Sequence, residues 1–313
     1  MFNVPILLLV FNRPGNTRIV FEEVRKIKPA YIYLAADGPR ESKPGEKEIC
    51  DDVRNIVLSG IDWECEVKTL LRDENLGCGK AVSESITWFF EHVKSGIILE
   101  DDCLPDSSFF FFCEEMLSRY SFDERIMHIS GDNFQSGIWR GTGDYYFSKY
   151  THIWGWATWK RAWSHYDFEI KEWPAFKADN HFLAMCDNSE KQIAFWVEIF
   201  NAVFEKKIDT WDYQWLFTVW LNRGLSILPN KNLIRNIGFG IDATHTTVDN
   251  ELINKLVLEK LDTYLSPVEH CYNKEADDFS FNHLFIGTPL VNKIKKKRNL
   301  FARLKNGINF LKS

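Results

Sequence analysis

The sequence has little that would support a disulfide framework or a zinc site. Its seven cysteines are odd in number, and no two of them form a Cys-x-x-Cys pair. This usage indicates reduced, mostly buried thiols and predicts a cytoplasmic protein. The apolar run Pro5 to Phe11 has no basic leader before it and is far too short to span a bilayer. We therefore predict that it forms the first strand.

Acidic residues are absent from the last stretch, Val291 to Ser313, which carries eight lysines and arginines. The net charge of the whole chain is -6, so residues 1–290 carry -14. An acidic body argues against a nucleic-acid partner. Within the stretch, apolar residues recur at helical spacing, which predicts a basic amphipathic tail over 291–313 at the inner face of an anionic membrane. The alternatives are a frayed, solvated terminus and a nucleic-acid-binding tail.

Strand and helix patterns alternate through the first half of the chain, which predicts βαβ units. We expect an α/β fold with a Rossmann-like, mostly parallel central sheet flanked by helices. The second half has shorter elements and a tryptophan-rich stretch, His152 to Trp159, and is predicted to pack on the same sheet. The predicted strands of the first half are Pro5–Phe11, Ala30–Ala36, Cys65–Leu71 and Gly96–Glu100, and its helices are Asn16–Ile27, Glu46–Leu58, Lys80–His92 and Phe109–Leu117.

Three acids, Glu100, Asp101 and Asp102, end the predicted strand that begins at Gly96. Adjacent carboxylates repel one another, so at the end of a core strand they favour a cation. Ligands of open α/β sheets bind beyond the carboxyl ends of the strands. The cluster therefore predicts a Mn²⁺ or Mg²⁺ site that also holds a polyphosphate.

Two other interpretations of the charged motifs fit less well. A phosphate-loop ATPase is disfavoured because Gly79-Lys80 is followed by Ala81, with Glu74 where the first glycine belongs. A glycosidase pair is disfavoured because adjacent acids on an extended strand point to opposite faces and cannot readily flank one bond.

Further donor-binding candidates follow the other predicted strands. Asn12 and Arg13 lie just past the first strand. Asp37 closes the second strand and is either a nucleobase acceptor or a turn residue. Lys80, near the start of a helix, is either a phosphate ligand or a solvated surface lysine.

The second half contributes a candidate base and a candidate loop ligand. Asp212 lies at a predicted helix start, where it is either a cap or a general base. His245 is a metal ligand, a phosphate contact or a loop histidine. Candidates for stacking on a sugar are Trp154, Trp156 and Trp215.

Taken together, these motifs resemble the GT-A nucleotide-sugar glycosyltransferases, most closely the branch that contains N-acetylglucosaminyltransferase I. The resemblance covers about residues 4–247. It implies a GT-A fold in which Asp102, the last acid of a DxD-like motif, binds manganese. Glu100 and Asp101 would contact the sugar and ribose, and Asp37 would match the uracil-binding acid. The segments that carry it are PILLLVFNRP, AADGP, ILEDDCLPDSSFF, WGWATW, WDYQW and FGIDATHT.

The resemblance implies a metal-dependent, inverting transfer of a sugar such as N-acetylglucosamine from a UDP-sugar to a glycan or lipid-linked acceptor. Asp212 would be the base. The segment WDYQW departs from the family's W-D-D-W-like pattern, with one acid and one more residue between the tryptophans, which leaves that assignment open. Lumenal family members carry a membrane anchor and disulfides, and this chain resembles a bacterial or viral cytoplasmic relative.

The expected organisation is a single catalytic domain over 1–290, followed by the basic tail. Residues 1–135 would form the nucleotide-sugar half and 136–290 the acceptor half. A sugar-phosphate nucleotidyltransferase is one alternative, although FNRPGN matches the glycine-rich loop of that class poorly. A carbohydrate-binding protein on a degenerate transferase fold is the other.

Overall fold

A computed structural model of the protein describes residues 2–238 and 256–286. The predicted alternation in the first half is confirmed, with element ends shifted by a few residues. Its elements are β1 Ile6–Val10, α1 Pro14–Ile27, β2 Tyr31–Ala36, α2 Glu46–Gly60, β3 Glu66–Leu71, α3 Gly77–His92, β4 Ser95–Glu100, β5 Cys103–Pro105 and α4 Ser107–Arg119.

The second half adds short helices and the remaining strands. The sequence analysis did not predict the small helices between 160 and 185 or the last helix. The elements are β6 Ile126–Ser130, β7 Tyr145–Ser148, β8 Trp156–Trp159, α5 Lys160–Trp163, α6 Trp173–Phe176, α7 Asn180–Met185, α8 Glu190–Phe204, α9 Asp212–Leu221, β9 Leu225–Pro229, β10 Ile234–Asn236, α10 Lys274–Ser280 and a π-helical turn Phe281–Phe285.

Within the described residues, eight strands form one sheet in the order β3-β2-β1-β4-β8-β6-β9-β7. Strands β1 to β4 are all parallel. Strand β8 is antiparallel to both of its neighbours, and β7 is antiparallel to β9. The fold is therefore α/β with a mixed sheet, and the expectation of a mostly parallel sheet holds best in the first half.

Strand β1 is buried on both faces, which is why its sequence is continuously apolar. Ile6, Leu8 and Val10 join one hydrophobic cluster, while Leu7 and Leu9 join the cluster on the opposite face. Helices cover both faces, as the βαβ pattern requires. The sheet is thus the centre of the core, and the polar side chains here lie at the ends of β4 and in the loop that follows β1.

The order of the strands creates a crevice beside β1. The chain runs outward from β1 to β2 and β3, and then returns to place β4 on the other side of β1. Connections that diverge from two neighbouring parallel strands leave room for a ligand at their carboxyl ends. This switch point is where Arg13 follows β1 and the three acids end β4.

The tryptophan-rich stretch supplies strand β8, which pairs with β4 on one side and β6 on the other. All four of its residues are buried, so the stretch shows none of the alternation by which a strand is predicted. The structure explains much of the aromatic content as core packing. No helix in the described part of the chain is long and apolar enough to cross a membrane.

The segment that contains α10 docks against strand β7. Asp277 accepts hydrogen bonds from Ser148 Oγ at 2.5 Å and from the backbone N–H of Lys149 at 3.1 Å. Asp277 is almost fully buried. Burial raises its pKa to about 7, against the lowering effect of these bonds. This anchor positions the π-helical turn, and with it Phe285, beside the crevice.

Candidate functional site

A cavity of about 690 Å³ opens at the carboxyl ends of β1, β2 and β4. Its sides differ in character. The strand-end wall consists of Asn12, Arg13, Asp37, Glu100, Asp101 and Asp102. The aromatic wall consists of Asp132, Phe134, His152, Trp154 and Phe285. Asp209 and Asp212 line the same cavity beside the start of α9.

The acids after β4 contact the loop after β1. The backbone N–H of Phe11 donates to Asp101 Oδ2 at 3.1 Å. Arg13 Nη1 lies 2.6 Å from Asp102 Oδ2 and 3.5 Å from Asp101 Oδ1. Asn236 Nδ2 lies 3.4 Å from the other oxygen of Asp102. The guanidinium of Arg13 thus supplies positive charge to the acidic tip of β4.

Ionisation of the acids at the tip is disfavoured by burial and by their mutual repulsion. Burial, followed by repulsion from Asp102 and Asp101, raises the pKa of Glu100 to about 8. Burial and repulsion from Asp102 also raise the pKa of Asp101 to about 7, although Arg13 opposes the shift. Additional positive charge at this edge would stabilise the ionised carboxylates.

The residues present fit a cation that is completed by a ligand. Among residues 2–238 and 256–286, no group of three or more His, Cys, Asp or Glu side chains could hold a metal ion by itself. Hard cations such as Mg²⁺ are commonly held by one or two carboxylates together with phosphate oxygens. Asp102, with its carboxylate turned to Arg13, is the side chain that fits such a role.

Asp37 ties the end of β2 to the loop before α3. Its carboxylate accepts from the backbone N–H of Leu76 at 3.0 Å and from Asn75 Nδ2 at 2.9 Å. A Cβ on Gly38 would lie 2.4 Å from the carbonyl carbon of Glu74, so the two loops meet backbone to backbone. Burial raises the pKa of Asp37, and the N–H of Leu76 opposes the shift. The turn role of Asp37 is therefore present, and the residue also lines the cavity.

Of the other two donor-binding candidates, Asn12 lines the cavity and Lys80 does not. Asn12 lines the cavity and donates to Glu46 Oε1 at 2.9 Å. Glu46 also pairs with Arg40, a cavity residue that the sequence analysis missed. Lys80 is exposed on α3 and is not among the cavity residues, so its interpretation as a solvated surface lysine fits the structure better.

The start of α9 places two aspartates at the cavity. Trp211, not Asp212, is the N-cap residue, and Asp212 is the first residue of the helix. The side chain of Asp212 accepts from Thr210 Oγ1. Asp209, which the sequence analysis did not single out, accepts from the backbone N–H of Gly79 at 3.0 Å. One aspartate therefore caps α3, while the other adds charge near Glu100.

Two of the three predicted stacking tryptophans lie in the core. Trp156 is 1% exposed and Trp215 is 0% exposed, and neither lines the cavity. Trp215 Nε1 donates to His128 Nδ1 at 3.1 Å. The expected sugar contact is therefore not available to either ring in this structure. Trp154 is partly exposed and does line the cavity.

The aromatic wall contains a buried polar pair that sequence reasoning missed. His152 Nδ1 lies 3.0 Å from Asp132 Oδ1. The ring of Phe134 packs edge-on against His152 and against Trp154, with centroids 5.0 Å and 5.1 Å apart. A signal was present, because Asp132 lies two residues after strand β6 just as Asp102 lies two residues after β4. His245 and the basic tail 291–313 lie outside the described residues.

Comparison with known proteins gives only weak similarities. No protein-family model matches the sequence, and no curated protein matches it. The mannosyltransferase PcManGT of Pyrobaculum calidifontis, solved with GDP-Man and Mn²⁺, has 11% identity and a TM-score of 0.33 over 50% of this chain and 45% of that chain. TarS of S. aureus, residues 1–349, has 8% identity and a TM-score of 0.39 over 74% of this chain and 59% of that chain.

A third solved structure, an apo UDP-glucose pyrophosphorylase, has 10% identity and a TM-score of 0.34 over 72% of this chain and 90% of that chain. The match to the mannosyltransferase spans less than half of that protein's length. Similarities at this level leave family and activity to be argued from the site.

Proposed function

We propose that the protein is a GT-A-type glycosyltransferase that moves a sugar from a nucleotide-sugar donor to a hydroxyl acceptor. One observation carries the proposal. The carboxyl ends of β1, β2 and β4 bring Arg13, Asp37 and the acids Glu100 to Asp102 around one cavity, which Asp212 also lines. This juxtaposition offers a nucleoside contact, a cation site and a base within a single ligand-sized space.

The strand-end wall suits the donor. Asp37 lies at the end of β2, where an acid can accept from the N–H of a base such as uracil. Asn12 and Arg13 lie beside the acidic tip, where an amide and a guanidinium suit phosphate oxygens. Glu100 and Asp101 would hydrogen-bond the sugar and ribose hydroxyls. UDP-N-acetylglucosamine is the donor that we test first.

Asp102 is proposed to hold a Mn²⁺ or Mg²⁺ ion together with the donor phosphates. When bound, such an ion supplies the positive charge that stabilises a departing nucleoside diphosphate. Arg13 then has to leave Asp102, and its guanidinium is released to bind a phosphate. The burial of Glu100 and Asp101 and their repulsion from Asp102, which together raise their pKa values, support this arrangement, because a cation would offset both effects.

Asp212 is proposed as the general base. It takes the proton from the acceptor hydroxyl while that oxygen forms a bond to the anomeric carbon. The bond from that carbon to the diphosphate oxygen breaks, and its electron pair leaves with the diphosphate. A single displacement of this kind inverts the configuration. The position of Asp212 at the cavity and its electrostatic interaction with Glu100 support this role.

The acceptor is proposed to be a glycan or a lipid-linked sugar. Trp154 lines the cavity and offers a flat apolar surface to a sugar ring. The basic tail, 291–313, motivates a lipid-linked acceptor at an anionic membrane, since clustered lysines and arginines are attracted to such surfaces. A single domain over 1–290 is proposed because both halves contribute to the cavity.

Titration calorimetry with UDP, in the presence and absence of Mn²⁺, tests the proposal. We expect UDP to bind with Mn²⁺ and to bind at least about tenfold more weakly without it, or in Asp102→Asn, because the cation bridges carboxylate and phosphate. The control is Asp52→Asn, an exposed aspartate on α2, which should bind as the wild type does. Unchanged metal-dependent binding in Asp102→Asn would remove Asp102 from the metal site.

Two further outcomes would replace the proposed function. Pyrophosphate release from UTP and a sugar phosphate would make the protein a nucleotidyltransferase. No binding of UDP with Mn²⁺ by the wild type would favour a carbohydrate-binding protein on this fold.

A further inference from the structure

The aromatic wall contains a histidine whose two ring nitrogens are in different situations. His152 and Asp132 are 3% and 1% exposed, and His152 Nδ1 lies 3.0 Å from Asp132 Oδ1. Asp132 also accepts from Ser130 Oγ at 3.0 Å and from the backbone N–H of Trp154 at 3.3 Å. Because the carboxylate accepts each bond, Nδ1 carries the hydrogen. In the neutral imidazole, Nε2 of His152 is then a hydrogen-bond acceptor.

Nε2 of His152 is buried and has no hydrogen-bond partner among the described residues. A nearby histidine shows the contrast. His128 Nε2 donates to the carbonyl oxygen of His152 at 2.7 Å, and its Nδ1 accepts from Trp215. His128 is thus a satisfied core histidine, whereas His152, which lines the cavity, has one satisfied nitrogen and one without a partner. A buried polar atom without a partner calls for an explanation, such as a role in the site or a bound water or ion, and among the eight such atoms of the described residues His152 Nε2 belongs to a residue that lines the cavity.

We propose that the aromatic wall is a subsite for a sugar ring of the acceptor, with His152 Nε2 as the acceptor of a hydrogen bond from one of its hydroxyls. The inference rests on the proposed function, because it takes the bound sugar to be the acceptor. Trp154 and Phe134 offer ring surfaces to the apolar face of a sugar. Phe285, whose ring centroid is 6.5 Å from that of His152, has to shift for a hydroxyl to reach Nε2.

Asp132 is a positioning residue in this proposal, because it sets the tautomer of His152. In Asp132→Asn, the amide oxygen has to face the N–H of Trp154, so the amide NH₂ faces His152 Nδ1. The hydrogen of the imidazole then moves to Nε2, which becomes a donor. The shape of the site is kept while the polarity of Nε2 is reversed, an effect that a purely structural role would not produce.

The experiment uses saturation-transfer NMR with three probes: methyl β-D-glucopyranoside, methyl β-D-galactopyranoside and methyl N-acetyl-β-D-glucosaminide. We expect at least one to bind the wild type. In His152→Asn, whose amide keeps a donor to Asp132 but lacks Nε2, affinity should fall about tenfold, as for one lost hydrogen bond. Asp132→Asn should lose less than this, because a sugar hydroxyl can also accept a hydrogen bond from Nε2–H. The control is His181→Asn, since His181 bonds the carbonyl oxygen of Trp220 and is not a cavity residue.

A measurement on the wild type covers the case in which the variants do not fold. In ¹⁵N-histidine-labelled protein, the bound glycoside should move the Nε2 resonance of His152 and leave that of His128 in place. No glycoside binding by the wild type, or binding unchanged in folded His152→Asn, overturns the inference. Calorimetry of UDP with Mn²⁺ on the same samples separates the proposals. UDP binding without glycoside binding removes the subsite alone, and the reverse removes the proposed donor chemistry alone.

Discussion

The strand-end wall and the aromatic wall face the same cavity but are built differently. The first consists of polar residues that directly follow three parallel strands, and its acids lie so close together that burial and repulsion raise their pKa values. The second draws its rings from three separate segments and holds one buried hydrogen-bonded pair, Asp132 and His152. Under the proposed function, charge would select the donor, while shape and a single hydrogen bond would select the acceptor.

The largest expected effect separates donor binding from transfer. Asp212→Asn should bind UDP with Mn²⁺ as the wild type does but transfer sugar at least about a hundredfold more slowly, because the amide cannot accept the hydroxyl proton. Transfer is measured by release of UDP from UDP-N-acetylglucosamine with a glycoside acceptor.

The control for this experiment is Asp209→Asn, since the amide oxygen still accepts from Gly79 N–H at the start of α3. Its turnover should stay near that of the wild type. Wild-type turnover in Asp212→Asn would move the base to another residue of the cavity.

Substitution of Trp215 tests whether this ring of the second half stabilises the core or is available to a ligand. Trp215→Phe should lower the free energy of unfolding by about 1–3 kcal/mol, because His128 Nδ1 loses its buried donor. Trp154→Phe, at the partly exposed cavity position, should cost less than about 0.5 kcal/mol. Chemical denaturation measures both. Equal losses in the two variants would contradict the assignment of Trp215 to the core.

His128 gives a pH dependence of stability. Burial lowers its pKa to about 3. In the unfolded chain the imidazole binds a proton near pH 6.5. Between about pH 6.5 and pH 3, His128 therefore binds more protons in the unfolded state than in the folded state. Its contribution to the free energy of unfolding is lost as the pH falls through that window.

In His128→Gln, the slope of the free energy of unfolding against pH in that window should fall by up to about 1.4 kcal/mol per pH unit. Glu100, Asp101 and Asp277 contribute with the opposite sign, because their raised pKa values make the folded state hold more protons. Only the difference between wild type and variant therefore reports on His128. An unchanged slope would show that His128 is already protonated in the folded protein.

The smallest expected effect concerns Arg13. Its guanidinium lies 2.6 Å from Asp102 Oδ2, where it competes with a cation for the same oxygen. Without nucleotide, Arg13→Gln should bind Mn²⁺ a few-fold more tightly, by less than about tenfold, as expected for a partly exposed ion pair. Electron paramagnetic resonance of free Mn²⁺ measures this. Weaker binding in the variant would show that Arg13 organises the site instead of competing for it.

The strand-end wall was largely predictable from the sequence, because the rule that places it is local. Each polar residue directly follows an apolar strand, and parallel strands bring those ends to one edge. The same rule applied to Asp132 after β6 would have found part of the aromatic wall. His152 lies 20 residues further along the chain, and no spacing links it to Asp132, so only the structure brings the two together.

The tryptophan-rich strand and Lys80 show why other predictions did not hold. Strand β8 is buried on both faces and antiparallel to its neighbours, so neither alternation nor the βαβ pattern reveals it. Trp156 and Trp215 have rings suited to a sugar, but burial decides their role and cannot be read from composition. Lys80 has the right position along α3 but lies on its exposed side.

The close approach of Gly38 to the backbone of Glu74 has a consequence for how a nucleotide would be received. Asp37 already holds the loop after β2 against the loop before α3 by hydrogen bonds, so this contact does not depend on a ligand. A base that binds there meets a preorganised pocket and loses little of its affinity to the ordering of loops. Association at this edge should therefore follow diffusion and electrostatic attraction more than conformational rearrangement.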